Sequence, residues 1–598
     1  MKTKFLMGVA AAGLVLGGVT ISTTITNQQN AETAVPFMHP LMMARAVCGK
    51  QTDELAQRRA FFVSAATAYA AANGENVPSE AMLQSNLGEI SYAITTAKPE
   101  AQAWFNQGLA HTYNFNHGEA VKAFKQAQDI DPECAMCFWG EAFALGPNIN
   151  APMGDEAVAP AWAAITKALA LRPGANAKER ELINALGYRY EAQPIDDRAK
   201  LDNAFADAMD AVAVKYPDDD FIASLAAEAN MDTQAWDYWE DDARTPKGRT
   251  ARTVSLIEAV LSRNPNYTAA IHLYIHITEA SQNPYRAADH ADRLAALTPG
   301  LGHLVHMPSH TYFRIGRFQQ ALDHNINAVA IDEAYLANAD ASPIYEYGYF
   351  THNVHFAMTA AQMAGDGETA LVMADKLNAK LPAEMATAAP WVQPIKAAPF
   401  FAMVQFSDPS DILSTEDPGD DLAFLKGAWH YARGEALAQN GDAEGAMKEA
   451  EAISALIANA DFSALMTGSL PALDIMRIAQ MTVTGRAAMV DGDLGTAIEA
   501  MEEATALQES LPYTEPAYWY YPSKQTLAAM VLQAGQVERA EQLFLETLTE
   551  SPNNAWVLYG LAETYRAQGD KDAAKYAERL FKQAWSGPKK SRPTLTQL

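Results

Sequence analysis

Seven of the thirteen histidines stand in three short runs. The runs are HLYIHITEA (272–280), GHLVHMPSHTYFRIGRF (302–318) and THNVHF (351–356). His272 and His276 are four residues apart, and Glu279 follows three later. On a helix such residues share one face. His303, His306 and His310 step by three and four in the same way, and His352 and His355 by three. Imidazole suits zinc, copper, iron or nickel. The chemistry expected is a divalent transition metal, zinc or copper first and iron next, held by His272, His276, His303, His306, His310, His352 and His355. Eight candidate ligands, counting Glu279, exceed the needs of one ion. Either two ions are held or some of the eight orient the others. Glu279 and Tyr312 are the candidate catalytic groups. Tyr274, Tyr345, Tyr347 and Tyr349 are further hydroxyls that could orient a substrate. The paired His272 and His276 resemble metallohydrolase ligands, but the HExxH form is absent, so Glu279 is not placed as that motif's base.

These residues need elements to position them. Residues 101–134 fit a helix-pair repeat of 34-residue period. Counting from Ala101, Trp104 falls at position 4, Gly108 at 8, Ala120 at 20, Phe124 at 24, Ala127 at 27 and Pro132 at 32. Small residues at 8 and 20 let two helices approach, and the ring at 24 fills the gap between them. This resembles the tetratricopeptide repeat. The register returns at Thr268, with Ala287 at 20 and Pro299 at 32, although Ile275 departs from the small residue expected at 8. It continues at Gly302 (Tyr312 at 11, Gly316 at 15, Ala321 at 20) and at Thr351 (Gly365 at 15, Ala370 at 20, Pro382 at 32). Two final repeats place Ala540 and Ala574 at position 20. No run has the alternation of a sheet. The fold class expected is therefore all-α, a solenoid of stacked helix-turn-helix repeats with a concave groove.

Resemblance to the repeat family implies that helix-A positions 2, 5, 9 and 12 line that groove. His272, His276 and Glu279 take 5, 9 and 12 of one repeat. His303, His306 and His310 take 2, 5 and 9 of the next, and His352 and His355 take 2 and 5 of the third. A single groove histidine is more often a packing residue. Eight such residues over three successive repeats point to a site. His290 and His324 fall on helix B and read as structural, as do His111 at a packing position and His117 in a turn.

The rest of the chain frames this array. Residues 1–34 hold a basic MKTK and an apolar FLMGVAAAGLVLGGVTI, a signal peptide or N-terminal anchor that predicts an exported, periplasmic protein. Residues 35–98 read as a helical cap, 99–382 as the array with the histidine-lined groove, 383–420 as an irregular Pro-rich connector, 421–585 as a second array and 586–598 as a polar tail. Of three cysteines, Cys134 and Cys137 form CAMC, which suits a disulfide, a redox pair or two metal ligands. EPAYWYYPSKQ (515–525) reads as an exposed aromatic cluster, either a groove wall or a partner site. Of 598 residues 49% are hydrophobic and 19% charged, which is a folded composition. A net charge of −28 excludes nucleic acid and anionic membrane surfaces as partners.

CAMCFWGEAFALGPNINAPM (134–153), GHLVHMPSHTYFRIGRF and EPAYWYYPSKQTL (515–527) look like a family of exported bacterial tetratricopeptide proteins, covering most of the chain from about residue 100. That resemblance brings a fold and no reaction. His272, His276 and Glu279, with His352 and Asn353, are more weakly similar to the tetratricopeptide repeat protein 38 group. Two functions follow. The first is a metal-dependent hydrolase or oxidoreductase, or a metal-binding protein, with a small-molecule or peptide ligand in the groove. The second is a non-catalytic scaffold whose groove holds a peptide or protein partner.

Overall fold

A computed structural model describes residues 82–598 apart from 391, 468 and 469. The expected leader, Cys48 and most of the expected cap lie outside the described residues. No described residue lies in a strand, and no described helix is long and apolar enough to cross a membrane.

The first repeat pairs α1 (Pro99–Tyr113) with α2 (His117–Ile130). Asn116 caps α2, its side chain accepting from the Glu119 N–H. A Cβ on Gly108 would sit 2.5 Å from the Phe124 ring, and one on Gly140 2.4 Å from it. Only glycine at both places lets successive helices close around that ring, as the positions 8 and 24 require. The array continues with α3 (Ala135–Ala144), α4 (Asp155–Leu171), α5 (Ala177–Gly187), α6 (Ala199–Lys215), α7 (Asp220–Asp232) and α8 (Thr250–Arg263). α4 keeps Pro160 inside. Cys134 and Cys137, at the start of α3, are joined by a disulfide.

The three histidine-bearing repeats follow. α9 (Thr268–Glu279) pairs with α10 (Ala288–Leu297). The next first helix is broken at Met307 into α11 (Gly302–His306) and α12 (Pro308–Arg314), because Pro308 has no N–H to continue the ladder. α13 (Phe318–Leu336) returns against both. The third repeat is α14 (Phe350–Ala364) and α15 (Gly367–Lys380). Before it, YEYGY (Tyr345–Tyr349) forms a π-turn that runs straight into α14.

Residues 383–420 are not irregular. They contain α16 (Val392–Phe406), which keeps the helical stack continuous. Pro394 lies in its first turn, where an N–H has no helical partner in any case. Pro399 lies inside and costs one hydrogen bond without ending the helix. The second array comprises α17 (Ala423–Gln439), α18 (Ala443–Asn459), α19 (Ala472–Asp491), α20 (Leu494–Ser510), α21 (Ser523–Gln533), α22 (Val537–Glu550), α23 (Ala555–Gln568) and α24 (Lys571–Ala584).

The superhelix curls back on itself. The Trp556 indole on α23 donates to the Gln362 carbonyl on α14 at 3.0 Å, and Asn553 donates to the Gly316 carbonyl. The tail is packed rather than solvated: Leu598 is buried, and the Thr526 hydroxyl donates to its carbonyl. At the other end Asn114 donates to the Tyr345 hydroxyl and accepts from the Leu304 N–H. Both closures fold chain over the inner face of α9, α11, α12 and α14.

Candidate metal centre

α9 turns His272 and His276 inward one above the other. Their Nε2 atoms lie 3.0 Å apart, and Nε2 of His303 on α11 lies 3.1 Å from that of His272. α11 can bring His303 this deep because Gly302 carries no side chain: a Cβ there would meet the Asp332 carboxylate at 1.8 Å. A second group forms one turn further on. Nε2 of His310 lies 2.7 Å from that of His306 and 3.4 Å from that of His352. In each group every donor lies within 4.8 Å of the others, the spread that one ion holds together at metal–nitrogen distances of ~2.0–2.1 Å. These buried clusters can hold a metal ion. A third convergent group joins Glu279, His310 and Glu515.

The opposite ring nitrogens are also placed. Nδ1 of His306 donates to Oδ1 of the Asn325 side chain at 2.5 Å. Nδ1 of His310 is 2.8 Å from Oε2 of Glu279 and hydrogen-bonded to Oε2 of Glu515. His272 makes a backbone hydrogen bond with Tyr113. An acceptor at Nδ1 fixes the tautomer that leaves the Nε2 lone pair for an ion.

The region is buried, not an open groove. His276 is 1% exposed and His306 fully enclosed. Three segments cover it. The Phe115 ring stacks on His303 at 5.1 Å and lies 4.6 Å from His272, while the Trp236 ring meets His276 edge-on at 5.2 Å. Both residues have left-handed backbone, at φ 53 and φ 67, a strained conformation for such bulky side chains. The third segment is the loop 511–522, which brings Glu515 to His310. EPAYWYYP is therefore not exposed: Trp519, Tyr520 and Tyr521 are all buried.

Burial sets the charge state. It lowers His272 to about 3, with a further push from His310. It also holds His303, His306 and His352 well below the usual imidazole range. His310 goes the other way. Burial pulls it down, but Glu515 and Glu279 outweigh that and raise it to about 10. Burial, then Glu515, pushes the Glu279 carboxyl up, while His310 draws Glu515 below its ordinary value against its own burial. The directions favour the positive charge on His310 against Glu515 and the neutral form of Glu279.

Six of the seven expected histidines enter the two groups. His355 does not: its Nε2 lies 2.9 Å from the Tyr520 hydroxyl. Glu279 is present, but as the carboxyl behind His276 and His310, not one free to act as a base. Tyr312 is on the far side of α12, where its hydroxyl donates to Asp292 at 2.7 Å and Arg317 covers its ring. Two residues after His310 is ~200° around a helix, so the two side chains point apart. Of the other tyrosines, Tyr349 reaches the site, 5.0 Å from His303, whereas Tyr274 bonds Glu258, Tyr345 bonds Asp332 and Tyr347 lies under Lys380. His290 and His324 lie away from the groups, against Arg293 and the Val305 carbonyl.

A cleft of about 200 Å³ adjoins the second group. Phe313, Phe356, Tyr513 and Tyr518 line it, with Glu515 and Arg314. Phe356 is the wall it shares with the histidines, 4.8 Å from His310 and 5.3 Å from His306.

The tetratricopeptide repeat family models match residues 101–134 and 531–575. No curated protein matches the chain. Among solved structures, the human IFIT1 dimer with PPP-AAAA is 11% identical, covering 80% of this chain and 90% of that one at a TM-score of 0.28. Yeast Tom70 is 13% identical, covering 81% and 90% at a TM-score of 0.26. Neither superposes closely enough to place a residue. The two matched segments and the helix pairs stacked between them make this chain an all-α tetratricopeptide solenoid.

Proposed function

We propose that this solenoid is an exported metal-dependent enzyme. Its reactive ion sits on His306, His310 and His352, and its ligand enters the aromatic cleft beside them. The observation that carries the reading is the convergence of three Nε2 atoms, with acceptors at Nδ1 of His306 and His310. Three imidazoles leave a coordination position open, as catalytic sites require, and of the two three-histidine groups only this one adjoins a cleft. The cleft supports access, since Glu515 and Phe356 belong to both it and the histidine surroundings. The first group, closed over by Phe115 and Trp236, holds its ion as a structural one.

A divalent transition metal fits the donor set, zinc or copper first and iron next. Zinc would activate water for hydrolysis, and copper would support oxidation. The residues themselves do the rest: Glu279 and Glu515 hold the His310 ring, and the cleft rings exclude water. Export to the periplasm, with or without an N-terminal anchor, is supported by the basic and apolar start of the chain and by the Cys134–Cys137 disulfide. The resemblance of its motifs to those of exported bacterial tetratricopeptide proteins points the same way.

A second reading, a non-catalytic scaffold for a peptide or protein partner, draws on the same aromatic cleft. Assays of metal-loaded protein against aromatic esters, phosphoesters and phenols separate the two. The enzyme reading expects turnover of at least one class, abolished in His306→Ala. No turnover, with an aromatic peptide bound equally with and without metal, would favour the scaffold.

A further inference from the structure

A second cavity lies outside the two histidine groups, between the loop after α3, the α5–α6 connection and the end of α7; Asn148 on its wall bonds His117. The cavity holds about 300 Å³. Its wall carries the carboxylates of Asp155, Glu191, Asp202 and Asp232 against one cation, Arg198. Acidic walls alone are ordinary in a protein of this charge, and solvent satisfies them. Asp232 is different.

The Asp232 side chain is 3% exposed and lines this cavity. Its Oδ2 pairs with Arg189 at 2.5 Å, but its Oδ1 is buried with no hydrogen-bond partner. A buried acceptor left without a donor costs about 1–3 kcal/mol, more when charged. Arg189 does not supply the missing donor: none of its N–H groups bonds Oδ1, although its Nε is itself buried without a hydrogen-bond partner. Its guanidinium already faces Asp202 at 3.6 Å and donates to the Pro147 carbonyl. Arg198 is committed to Asp202 at 3.1 Å. Glu228, one turn earlier on α7, is buried as well. Three buried carboxylates thus share two guanidinium groups, and the cluster is one positive charge short.

We propose that this cavity binds a small organic cation, a primary amine, whose N–H donates to Oδ1 of Asp232 while its apolar part lies against Met153, Val158 and Leu201. Burial pushes Asp232 up to about 7 and, with Asp232 beside it, Glu228 up to about 8. Without a ligand the cluster thus takes up a proton, the charge that the amine would supply instead. A metal ion fits less well, because the convergent donor groups found among the described residues all lie at the histidines. The cavity is also at the lower end of the volumes that hold small organic ligands.

The test is calorimetric titration of full-length, tag-free protein with benzylamine, putrescine and the uncharged benzyl alcohol. The amines are expected to bind and the alcohol not to. Asp232→Asn removes the charge. Ala235→Leu fills the cavity from its wall and leaves every charged group in place, so it decides the matter if Asp232→Asn does not fold. Each substitution is expected to weaken amine binding about tenfold or more. No amine binding at millimolar concentration, equal binding of the alcohol, or undiminished binding by a folded variant overturns the proposal.

Discussion

Oε2 of Glu279 lies 2.8 Å from Nδ1 of His310, and the other oxygen of the same carboxyl lies 3.5 Å from Nδ1 of His276. His276 belongs to the first histidine group and His310 to the second. One fully buried carboxyl therefore stands behind a ligand of each, so the two groups share a support.

Glu279→Gln should weaken metal binding by about 10–100-fold, the usual effect of removing a carboxylate that orients a ligand histidine. Titration with zinc in competition with a chromophoric chelator reads both groups together. Unchanged affinity would remove Glu279 from the account.

Tyr312→Phe should leave metal binding unchanged and lower stability by about 1 kcal/mol, the loss of the hydrogen bond to Asp292. Paired metal titration and urea denaturation check it. A loss of metal affinity would bring Tyr312 back into the site.

That contrast marks what the sequence could tell. The 34-residue register put Gly108, Ala120 and Phe124 where the helices cross. It also put six histidines on one inner face, because helical repeats convert spacing into position. Tyr312 looked close only because it is two residues from His310, a step that turns it to the opposite side. Glu515 was invisible as a partner, since 205 residues separate it from His310 and only the curl of the whole array brings them together. The aromatic run beside it reads as exposed from sequence alone. Covering requires knowing which surface folds back, and local pattern carries no such information. Phe115 and Trp236 carried no signal of their own, because a left-handed backbone at a bulky residue has no sequence signature.

Acid should destabilise the metal-free protein before it affects ordinary carboxylates. Burial lowers His111 and His117 to about 4, and His272 and His355 to about 3, against an unfolded value near 6.5. Between pH ~6.5 and the folded values the unfolded chain binds more protons, so stability falls as pH falls through that window. His310, raised to about 10, acts in the opposite sense: its contribution is complete below ~6.5 and is lost as pH rises to about 10. Melting temperatures of metal-free protein should fall from pH 7 to pH 4. A flat profile would contradict the buried, neutral state of these imidazoles.

Gly108→Ala should destabilise the first repeat by about 1–3 kcal/mol, because Phe124 is held between Gly108 and Gly140 and cannot retreat. Better helix propensity returns at most about 1 kcal/mol. The double variant Gly108→Ala with Phe124→Leu should recover part of the loss. Additive losses in chemical denaturation would show that the two positions do not pack as described.

The most direct measurement is the metal content of tag-free protein, by mass spectrometry, for the wild type and for His306→Ala and His272→Ala. Two equivalents of a transition metal are expected in the wild type, with one lost in each variant that keeps its helical circular dichroism. Substoichiometric metal in the wild type, unaffected by either substitution, would contradict that expectation.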